Sequence, residues 1–233
     1  MELAVVYPVY NEVEILEDTA QKTIEFLRET EIDPFQIVLV TDGSTDGTQE
    51  EADRLEKEIP EIKHLKFDKR LGKGLAFEKA FQEVEAEKFV YSDADLSTEL
   101  KHIEDAGKHL EKGYDIAVGS RRIEKGLDRG LKREMPSMVF NELIRKAFGS
   151  MIKDHQCGFK AFDPEAVEDV FSEVESSHWF WDAEMLVRAQ RKDMDVKEFS
   201  VDWEESTDSK VSVFRDSVYF LRKTVELRIN LWR

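Results

Sequence analysis

Short apolar runs alternate with amphipathic helical stretches through the first half of this 233-residue chain. The apolar runs have β-type composition and occupy residues 3–7, 36–40, 64–67, 88–92 and 115–119. Between them, helical spacing predicts helices over 12–30, 46–58, 74–86 and 99–112. Strands that are apolar on both faces and separated by helices form a mostly parallel sheet covered on both sides. The sequence therefore predicts one α/β domain of Rossmann-like type, with helices on both faces.

Four polar loops follow the predicted strands at the same end. In open α/β sheets, ligands bind beyond the carboxyl ends of the strands, where loops lead into helices. We call this side the C-terminal edge of the sheet. The loops expected there are YPVYNE (7–12), TDGSTDGT (41–48), KRLGKG (69–74) and SDADLS (92–97).

Two D-x-D triplets occur in the chain, which is about the number expected by chance in a chain with 20 Asp. Their positions separate them. Asp93 and Asp95 follow a strand and are expected at the C-terminal edge, whereas Asp193 and Asp195 follow a helix and precede a strand. We therefore interpret the first pair as chemical and the second as structural.

Asp93 and Asp95 predict a site for Mg²⁺ or Mn²⁺. Carboxylates are hard oxygen ligands that suit these ions, and no His or Cys cluster in the sequence competes for a softer metal. Magnesium held by one or two carboxylates usually completes its shell with water and substrate phosphates. A diphosphate is the natural partner of such a pair.

The first two loops offer polar contacts to a nucleotide as well as ordinary turn chemistry. Tyr10 and Glu12 could face a ligand, although Asn11 could simply cap the following helix. Asp42 could accept hydrogen bonds from a base N–H or a ribose hydroxyl, while Asp46 is expected to cap the next helix.

The third loop places cations beside glycines at the start of a predicted helix. Lys69, Arg70 and Lys73 flank Gly72 and Gly74, an arrangement that suits phosphate binding. The loop lacks the full spacing of a phosphate-loop NTPase, so we do not assign it to that class.

Composition narrows the classes of partner and compartment. A formal net charge of -17 argues against nucleic acid as a partner, because phosphates attract Lys and Arg. The single Cys157 excludes an internal disulfide framework, suits a reducing compartment and is expected to be a packing residue. No signal peptide is recognisable, and no apolar run approaches the roughly 20 residues that span a bilayer.

Eight short motifs, in order along nearly the whole chain, resemble the GT-A-fold glycosyltransferases of family 2, specifically the dolichyl-phosphate glucose and mannose synthases. They are YPVYNE, TDGSTDGT, RLGKG, SDADLS, VGSR, DHQCGFKAF, FWDAEMLVRA and VDWEESTDSK. Each motif alone is weak, but their order is specific. The later motifs look most like the glucose enzymes, and the overall layout is equally compatible with the mannose enzymes. The resemblance implies transfer of a hexose from UDP-glucose or GDP-mannose to dolichyl or polyprenyl phosphate, with inversion at the anomeric carbon.

The resemblance also implies a donor site, built around the metal pair Asp93 and Asp95. Asp95 would hold the Mg²⁺ or Mn²⁺ that bridges the diphosphate, and Lys210 would reach the donor from the C-terminal segment. The other residues implied in donor binding are Pro8, Tyr10, Glu12, Asp42, Asp93 and Ala94. Thr41 departs from the first Asp of many relatives, and Glu204 stands where some mannose enzymes have Arg, which disfavours guanosine diphosphate.

On the acceptor side, the resemblance implies that Arg121, Arg133 and Ser137 bind the lipid phosphate. Arginine binds phosphate through two parallel hydrogen bonds, so Arg121 and Arg133 would supply positioning. A phosphate is already ionised at pH 7 and needs no strong base. Asp182, beside Glu184 in the FWDAE motif, either acts as a catalytic base or positions the acceptor loops.

Residues 211–233 form a second predicted unit after the catalytic domain of residues 1–210. They contain five Lys or Arg and two acids, with Val218, Leu221, Val225 and Ile229 at helical spacing. Such a basic amphipathic helix either lies in a membrane interface or packs on the core of the domain. We expect a peripheral protein at the cytoplasmic face of a membrane, attached directly or through a membrane partner.

Three other functions remain open from the sequence. Transfer to a sugar hydroxyl on a lipid-linked or surface glycan would require Asp182 or a neighbour as base. A sugar-phosphate nucleotidyltransferase also uses paired aspartates, but the start of the chain lacks the Gly-rich, basic phosphate loop of that class. A module that binds a nucleotide or a partner without catalysis is disfavoured by the intact metal pair and the basic acceptor residues.

Overall fold

The computed structural model describes the backbone of residues 1–123, 131–204 and 213–232, and the side chains of these residues except 131–136 and 213–217. The strands are β1 (Leu3–Val9), β2 (Phe35–Asp42), β3 (Ile62–Phe67), β4 (Lys88–Ser92), β5 (Ile116–Ser120), β6 (Phe159–Phe162) and β7 (Val196–Ser200). The helices are α1 (Val13–Arg28), α2 (Thr48–Glu58), α3 (Lys73–Glu83), α4 (His102–Glu111), α5 (Leu131–Phe148), α6 (Pro164–Glu173), α7 (Trp181–Arg191) and α8 (Val213–Asn230).

The strands form one sheet in the order β3-β2-β1-β4-β6-β5-β7. Neighbouring strands are parallel except at β6, which runs antiparallel to both β4 and β5. Because β6 runs the opposite way, the chain enters it at the edge where the parallel strands end. Ser92, the last residue of β4, pairs with Phe159, the first residue of β6. The antiparallel strand thus brings residues 154–158 to the C-terminal edge.

Both faces of the sheet are buried, and β1 shows why its sequence is apolar throughout. Leu3, Val5 and Tyr7 pack into the core on the face covered by α1, α2 and α4. Ala4 and Val6 point to the opposite face, into the core formed with α3, α6 and α7. Side chains alternate between the faces of a strand, so a strand covered on both sides is apolar at every position.

The C-terminal helix packs on the domain through one of its faces. A third cluster joins α5, α7 and α8, with Phe140, Phe180 and Leu227 buried at its centre. The rings of Phe140 and Phe220 lie 4.4 Å apart between centroids. Core packing is therefore part of what holds α8 in place. Among the described residues, no helix is long and apolar enough to cross a membrane.

The predicted α/β fold is confirmed, together with all five predicted strands and the four helices between them. The second D-x-D triplet lies where it was predicted, at the opposite edge, because the carbonyl of Asp195 accepts a hydrogen bond from the N–H of Asp115 just before β5. Strand β6 was not predicted. Its four residues, FKAF, are too few to carry a periodic signal.

Candidate active site

Two side chains that were expected only to cap helices, Asn11 and Asp46, join the first loop (7–12) to the second loop (41–48). Asn11 does not cap α1, whose N-cap position is Glu12. Asn11 has φ +56°, and its side-chain oxygen accepts a hydrogen bond from the N–H of Thr45 at 2.8 Å. Asp46 is not the N-cap of α2 either, because that position is Gly47, but it lies beside the start of the helix and accepts from the N–H of Thr48 at 3.0 Å. Its other oxygen accepts from the N–H of Val13 at 3.3 Å. The two loops therefore form one rigid unit.

Asp42 connects the second loop to the third. Its side chain is buried, and its carboxylate accepts hydrogen bonds from the backbone N–H groups of Leu71 and Gly72. Above this junction, the Arg70 guanidinium stacks on the Tyr10 ring, 3.6 Å from the ring centroid. The structure thus brings Tyr10 and Asp42 to the same corner of the C-terminal edge. Asp42 in this arrangement holds the loop that presents Arg70, and its predicted contact to a base stays a prediction.

The third loop lies against the segment before α7 so closely that two of its positions have no room for a side chain. A Cβ on Gly72 would collide with His178 and the carbonyl of Ser177, and a Cβ on Gly74 would collide with the Trp181 ring. The N–H of Gly74 donates to the carbonyl of Ser177 at 3.1 Å. The glycines of KRLGKG therefore serve close packing, and they fix Lys73 between them.

The carboxylates of the D-x-D pair have different surroundings. Asp95 is exposed and accepts a hydrogen bond from the N–H of Ser97 at 3.0 Å. Asp93 is half-buried; its N–H donates to the carbonyl of Gly158 at 3.0 Å, and its carboxylate lies 3.5 Å from Nζ of Lys73. Tyr91 donates its hydroxyl to the same Asp93 oxygen at 3.3 Å. Asp95 is available to solvent, whereas Asp93 is held by the protein.

Beneath Asp93 lies a chain of alternating charges that the sequence did not predict. Nζ of Lys73 is 3.9 Å from Asp182, and Asp182 accepts a hydrogen bond from Nζ of Lys160 at 2.6 Å. Lys160 and Asp182 are 0% and 2% exposed at their side chains. Burial opposes the charge of Lys73, but Asp93 and Asp182 outweigh it and raise the pKa of Lys73 well above its ordinary value. Lys73 is thus a permanent cation, and Asp182 is the counterion of two lysines.

The carboxylates at this edge fit a divalent cation that the substrate would help to hold. No group of three or more His, Cys, Asp or Glu converges on a metal position in the part of the chain that the structure describes. Mg²⁺ and Mn²⁺ commonly use one or two carboxylates and take their remaining oxygens from water and phosphate. Asp95 suits this role because it is exposed. Asp93 suits it less, because its carboxylate already has the Lys73 ammonium 3.5 Å away.

A second charged cluster lies where β5 ends. Arg121 donates from Nε and Nη2 to the two oxygens of Asp154, at 2.7 and 2.9 Å, and its backbone N–H binds the same carboxylate. Asp154 is completely buried, and the pair raises the pKa of Arg121 and lowers that of Asp154, against the opposing effect of burial. Arg121, predicted to bind the acceptor phosphate, therefore already has a carboxylate partner.

Its neighbour Arg122 belongs to the same cluster, with Nε 3.9 Å from an oxygen of Asp154. Nη2 of Arg122 donates to the hydroxyl of Ser137 at 3.1 Å, and its buried Nε has no hydrogen-bond partner. The structure thus joins Arg122, the residue after the VGSR motif, to Ser137, and the predicted binding of the lipid phosphate by Arg121 and Ser137 stays a prediction. Arg122 was missed because the motif ends one residue earlier, although the doubled arginine was visible in the sequence.

The loop that carries Asp154 is fixed by a neutral histidine. The backbone N–H and Nδ1 of His155 both hydrogen-bond to the side-chain oxygen of Asn141, each at 2.8 Å. Burial, with a smaller contribution from Lys160, lowers the pKa of His155 to about 3. An uncharged His155 therefore connects this loop to α5, the helix that carries Ser137.

The remaining predicted residues divide between the described and undescribed parts of the chain. Pro8 lies in β1 beside Val40, and the carbonyl of Ala94 accepts a hydrogen bond from the Thr19 hydroxyl at 2.6 Å. The backbone N–H of Glu12 donates a hydrogen bond to the hydroxyl oxygen of Thr48 at 3.0 Å. Lys210 lies outside the described residues, as does the side chain of Arg133, whose backbone belongs to α5.

Solved structures with this architecture include glucosyl-3-phosphoglycerate synthase from Mycobacterium tuberculosis. Its complex with Mn²⁺ and UDP-glucose matches 97% of this chain and 78% of its own, with a TM-score of 0.71 and 16% identity. Its complex with UDP matches 98% and 79%, with a TM-score of 0.68. At such low identity the likeness concerns the fold alone, which is the GT-A fold.

Sequence comparison gives the family. The chain is 45% identical to the glycosyltransferase AglD of Haloferax volcanii over 93% of its length, and it spans 35% of that protein. It is 31% identical to a dolichyl-phosphate beta-glucosyltransferase, ALG5C, of Trichomonas vaginalis, over 97% of this chain and 72% of the relative. The Saccharomyces cerevisiae dolichyl-phosphate beta-glucosyltransferase is 29% identical over 97% of the chain and 74% of its own length. Residues 4–171 match the family described as Glycosyl transferase family 2, and the chain belongs to that family.

Proposed function

We propose that the protein transfers glucose from UDP-glucose to dolichyl or polyprenyl phosphate, with inversion at the anomeric carbon. Two relatives that align with nearly the whole chain carry the name dolichyl-phosphate beta-glucosyltransferase, which favours glucose over mannose. The observation that carries the proposal is the meeting of two sites at one edge of the sheet. An exposed Asp95 follows β4, and the Arg121–Arg122 pair follows β5, with only β6 between these strands.

The donor site in this proposal extends from Tyr10 to Asp95. The Tyr10 ring, backed by the Arg70 guanidinium, offers a flat face to the uracil base. Asp42 holds the loop beneath it, so the base position is fixed before the donor arrives. Asp95 would hold Mg²⁺ or Mn²⁺ against the diphosphate, with Asp93 completing the pair. Lys73 lies beside Asp93 and supplies a fixed positive charge.

The acceptor site lies between the end of β5 and the start of α5. Arg122 and Ser137 are already hydrogen-bonded and present donors suited to a phosphate. Arg121 is held rigid by Asp154, so it orients the segment that carries Arg122. Arg133, from the same helix as Ser137, would add a further cation to this site.

The reaction needs little proton transfer. An ionised oxygen of the lipid phosphate attacks the anomeric carbon, forming a new C–O bond on the face opposite the departing diphosphate. The bond from that carbon to the UDP oxygen breaks, and UDP leaves with the electron pair. A bound divalent cation would supply charge stabilisation at the leaving diphosphate. Lys73 adds a positive charge that is already in place, which costs no reorganisation as the charge develops.

Asp182 positions the site in this mechanism and does not remove a proton. Its two oxygens lie beside the ammonium groups of Lys160 and Lys73. These contacts leave it buried beneath Asp93, away from solvent. A phosphate acceptor makes such a base unnecessary, whereas a sugar hydroxyl would require one.

The proposed reaction belongs at a membrane surface, where a water-soluble donor meets a lipid acceptor. We propose the cytoplasmic face, because a lone, unpaired Cys157 suits a reducing compartment.

The test is transfer of radiolabelled glucose from UDP-glucose to a short-chain dolichyl phosphate by the purified protein with Mn²⁺ or Mg²⁺, with GDP-mannose in parallel. We expect lipid-phase label from UDP-glucose and a loss of about 10²–10³-fold in Asp95→Asn. The matched control is Asp193→Asn in the second D-x-D triplet. Asp193 has φ +57°, which Asn tolerates, so this variant should retain activity. Label transferred from GDP-mannose instead, or to a sugar hydroxyl, would overturn the proposal.

A further inference from the structure

Helix α8 presents two apolar faces, and among the residues that the structure describes only one of them packs against the domain. The face directed at α5 and α7 packs into the third core cluster through Phe220, Leu227 and Leu231. A second set of large apolar side chains points outward, with exposures between 50% and 78%. We call it the outer stripe; it consists of Val218, Leu221, Val225, Ile229 and Trp232.

The outer stripe is continuous and narrow. At about 100° per residue, its four members within α8 fall within roughly 80° of the helix circumference, on the side away from Leu227, and Trp232 follows in the turn after the helix. Arg222 and Arg228 lie immediately on either side of this arc. The Arg228 guanidinium is 5.3 Å from the centroid of the Trp232 ring. An apolar stripe bordered by arginines and ending in an exposed tryptophan is typical of a helix that lies in a membrane interface.

Helix α8 is also oriented toward the acceptor site. Phe220 contacts Phe140, and Nη1 of Arg228 donates to the carbonyl of Ala147 at 2.7 Å, so α5 and α8 run in the same direction. Ser137 precedes Phe140 by about one helical turn. The outer stripe therefore begins beside the end of α5 that carries Ser137 and extends away from it.

The charge of the α8 segment indicates which kind of surface could cover the outer stripe. The whole chain carries -17, yet residues 211–233 contain five Lys or Arg and two acids. An anionic bilayer repels most of this protein and attracts this segment, with each basic residue near the surface contributing about 1 kcal/mol. We propose that the outer stripe docks on an anionic lipid bilayer with the α8 axis in the membrane plane. This deepens the proposed function, because it brings the acceptor site to the lipid that the site would use.

The test is flotation of the purified protein with vesicles of phosphatidylcholine containing roughly one third phosphatidylglycerol. We expect the protein to float with these vesicles. The double variant Leu221→Ser/Val225→Ser should lower the partition coefficient at least about tenfold, because it removes apolar surface from the centre of the stripe. Arg222→Gln should lower it by about fivefold.

Two matched control variants test whether a loss of vesicle binding is specific to the outer stripe. Met151→Ser removes an apolar side chain outside α8 that is more exposed than Leu221 or Val225, and Lys57→Gln removes an exposed cation on α2. Both should float like the wild type. Wild-type protein that stays unbound, or a double variant that binds as well as the wild type, would overturn the inference. So would a dimer in solution that the double variant converts to a monomer, since the stripe would then cover a second copy.

The inference and the proposed function fail in different experiments. Transfer to a short, water-soluble isoprenyl phosphate requires no bilayer and should be unchanged in the double variant. If such transfer occurs without flotation, the docking inference is wrong and the proposed function stands. If flotation depends on the stripe but no acceptor phosphate is glucosylated, the function is wrong and the docking surface stands.

Discussion

The carboxylate of Asp93 occupies the space that a side chain at residue 158 would need. A Cβ on Gly158 would overlap the Asp93 carboxylate, while the Gly158 carbonyl accepts the N–H of Asp93 at 3.0 Å. One residue therefore fixes both the backbone and the side chain of the first aspartate in the D-x-D pair. Through Asp93, it also fixes the ammonium of Lys73.

Replacing Gly158 with Ala should damage catalysis by displacing Asp93. We expect kcat to fall by about tenfold or more, since small displacements of positioned groups cost up to about 100-fold. The control is Gly107→Ala in α4, where an added Cβ meets no atom within 4 Å. That variant should keep full activity and be slightly stabilised, because Ala favours a helix. Equal activity of Gly158→Ala and wild type would contradict the positioning of Asp93 by this glycine.

The Lys160–Asp182 pair should matter more for stability than for proton transfer. Asp182→Asn leaves the buried Lys160 ammonium without its counterion, so the free energy of unfolding should fall by about 3–5 kcal/mol. Replacing both partners, as Lys160→Met/Asp182→Leu, should recover much of this stability and little of the activity. Urea unfolding followed by circular dichroism measures both variants. An Asp182→Asn protein of unchanged stability and no activity would instead identify Asp182 as a base.

The two adjacent arginines should separate into a structural and a ligand-binding residue. Arg121→Gln removes the bidentate partner of the buried Asp154 and should lower the free energy of unfolding by about 3–5 kcal/mol. Arg122→Gln loses a longer ion pair to Asp154, at 3.9 Å, so it should cost less stability than Arg121→Gln and raise the KM for the lipid phosphate by about tenfold or more. Steady-state kinetics with varied acceptor, beside thermal unfolding, distinguishes them. If Arg121→Gln instead raises the KM and Arg122→Gln lowers the stability, Arg121 is the residue that binds the phosphate.

His155 should remain neutral well into the acid range. Its pKa is about 3 in the folded protein and about 6.5 in an unfolded chain, so between these values the unfolded state binds more protons. The contribution of His155 to stability is therefore complete above pH 6.5. It falls as pH drops toward 3, by at most about 1.4 kcal/mol per pH unit. Imidazole nitrogen NMR should show His155 uncharged at pH 5; a charged ring at that pH would refute this prediction.

Local sequence determined the frame of this protein. Val and Ile runs that are apolar at every position require a sheet covered on both faces, and the helices between them require parallel strands. That logic alone placed Asp42, Asp93 and Asp95 at one edge. The same reasoning predicted Asp193 at the opposite edge, although both triplets have the same D-x-D pattern.

Tertiary structure decided which charges are partners. The pairs Lys73–Asp93, Lys160–Asp182 and Arg121–Asp154 join residues 20 to 33 positions apart, and no local pattern encodes such pairings. Two of them depend on β6: Lys160 lies in this strand, and Asp154 lies in the segment that its antiparallel direction brings to the C-terminal edge. The same limit applies to α8, whose sequence carries two apolar faces. Which face packs and which stays exposed is settled only by contact with α5 and α7, because burial is a property of the assembled fold.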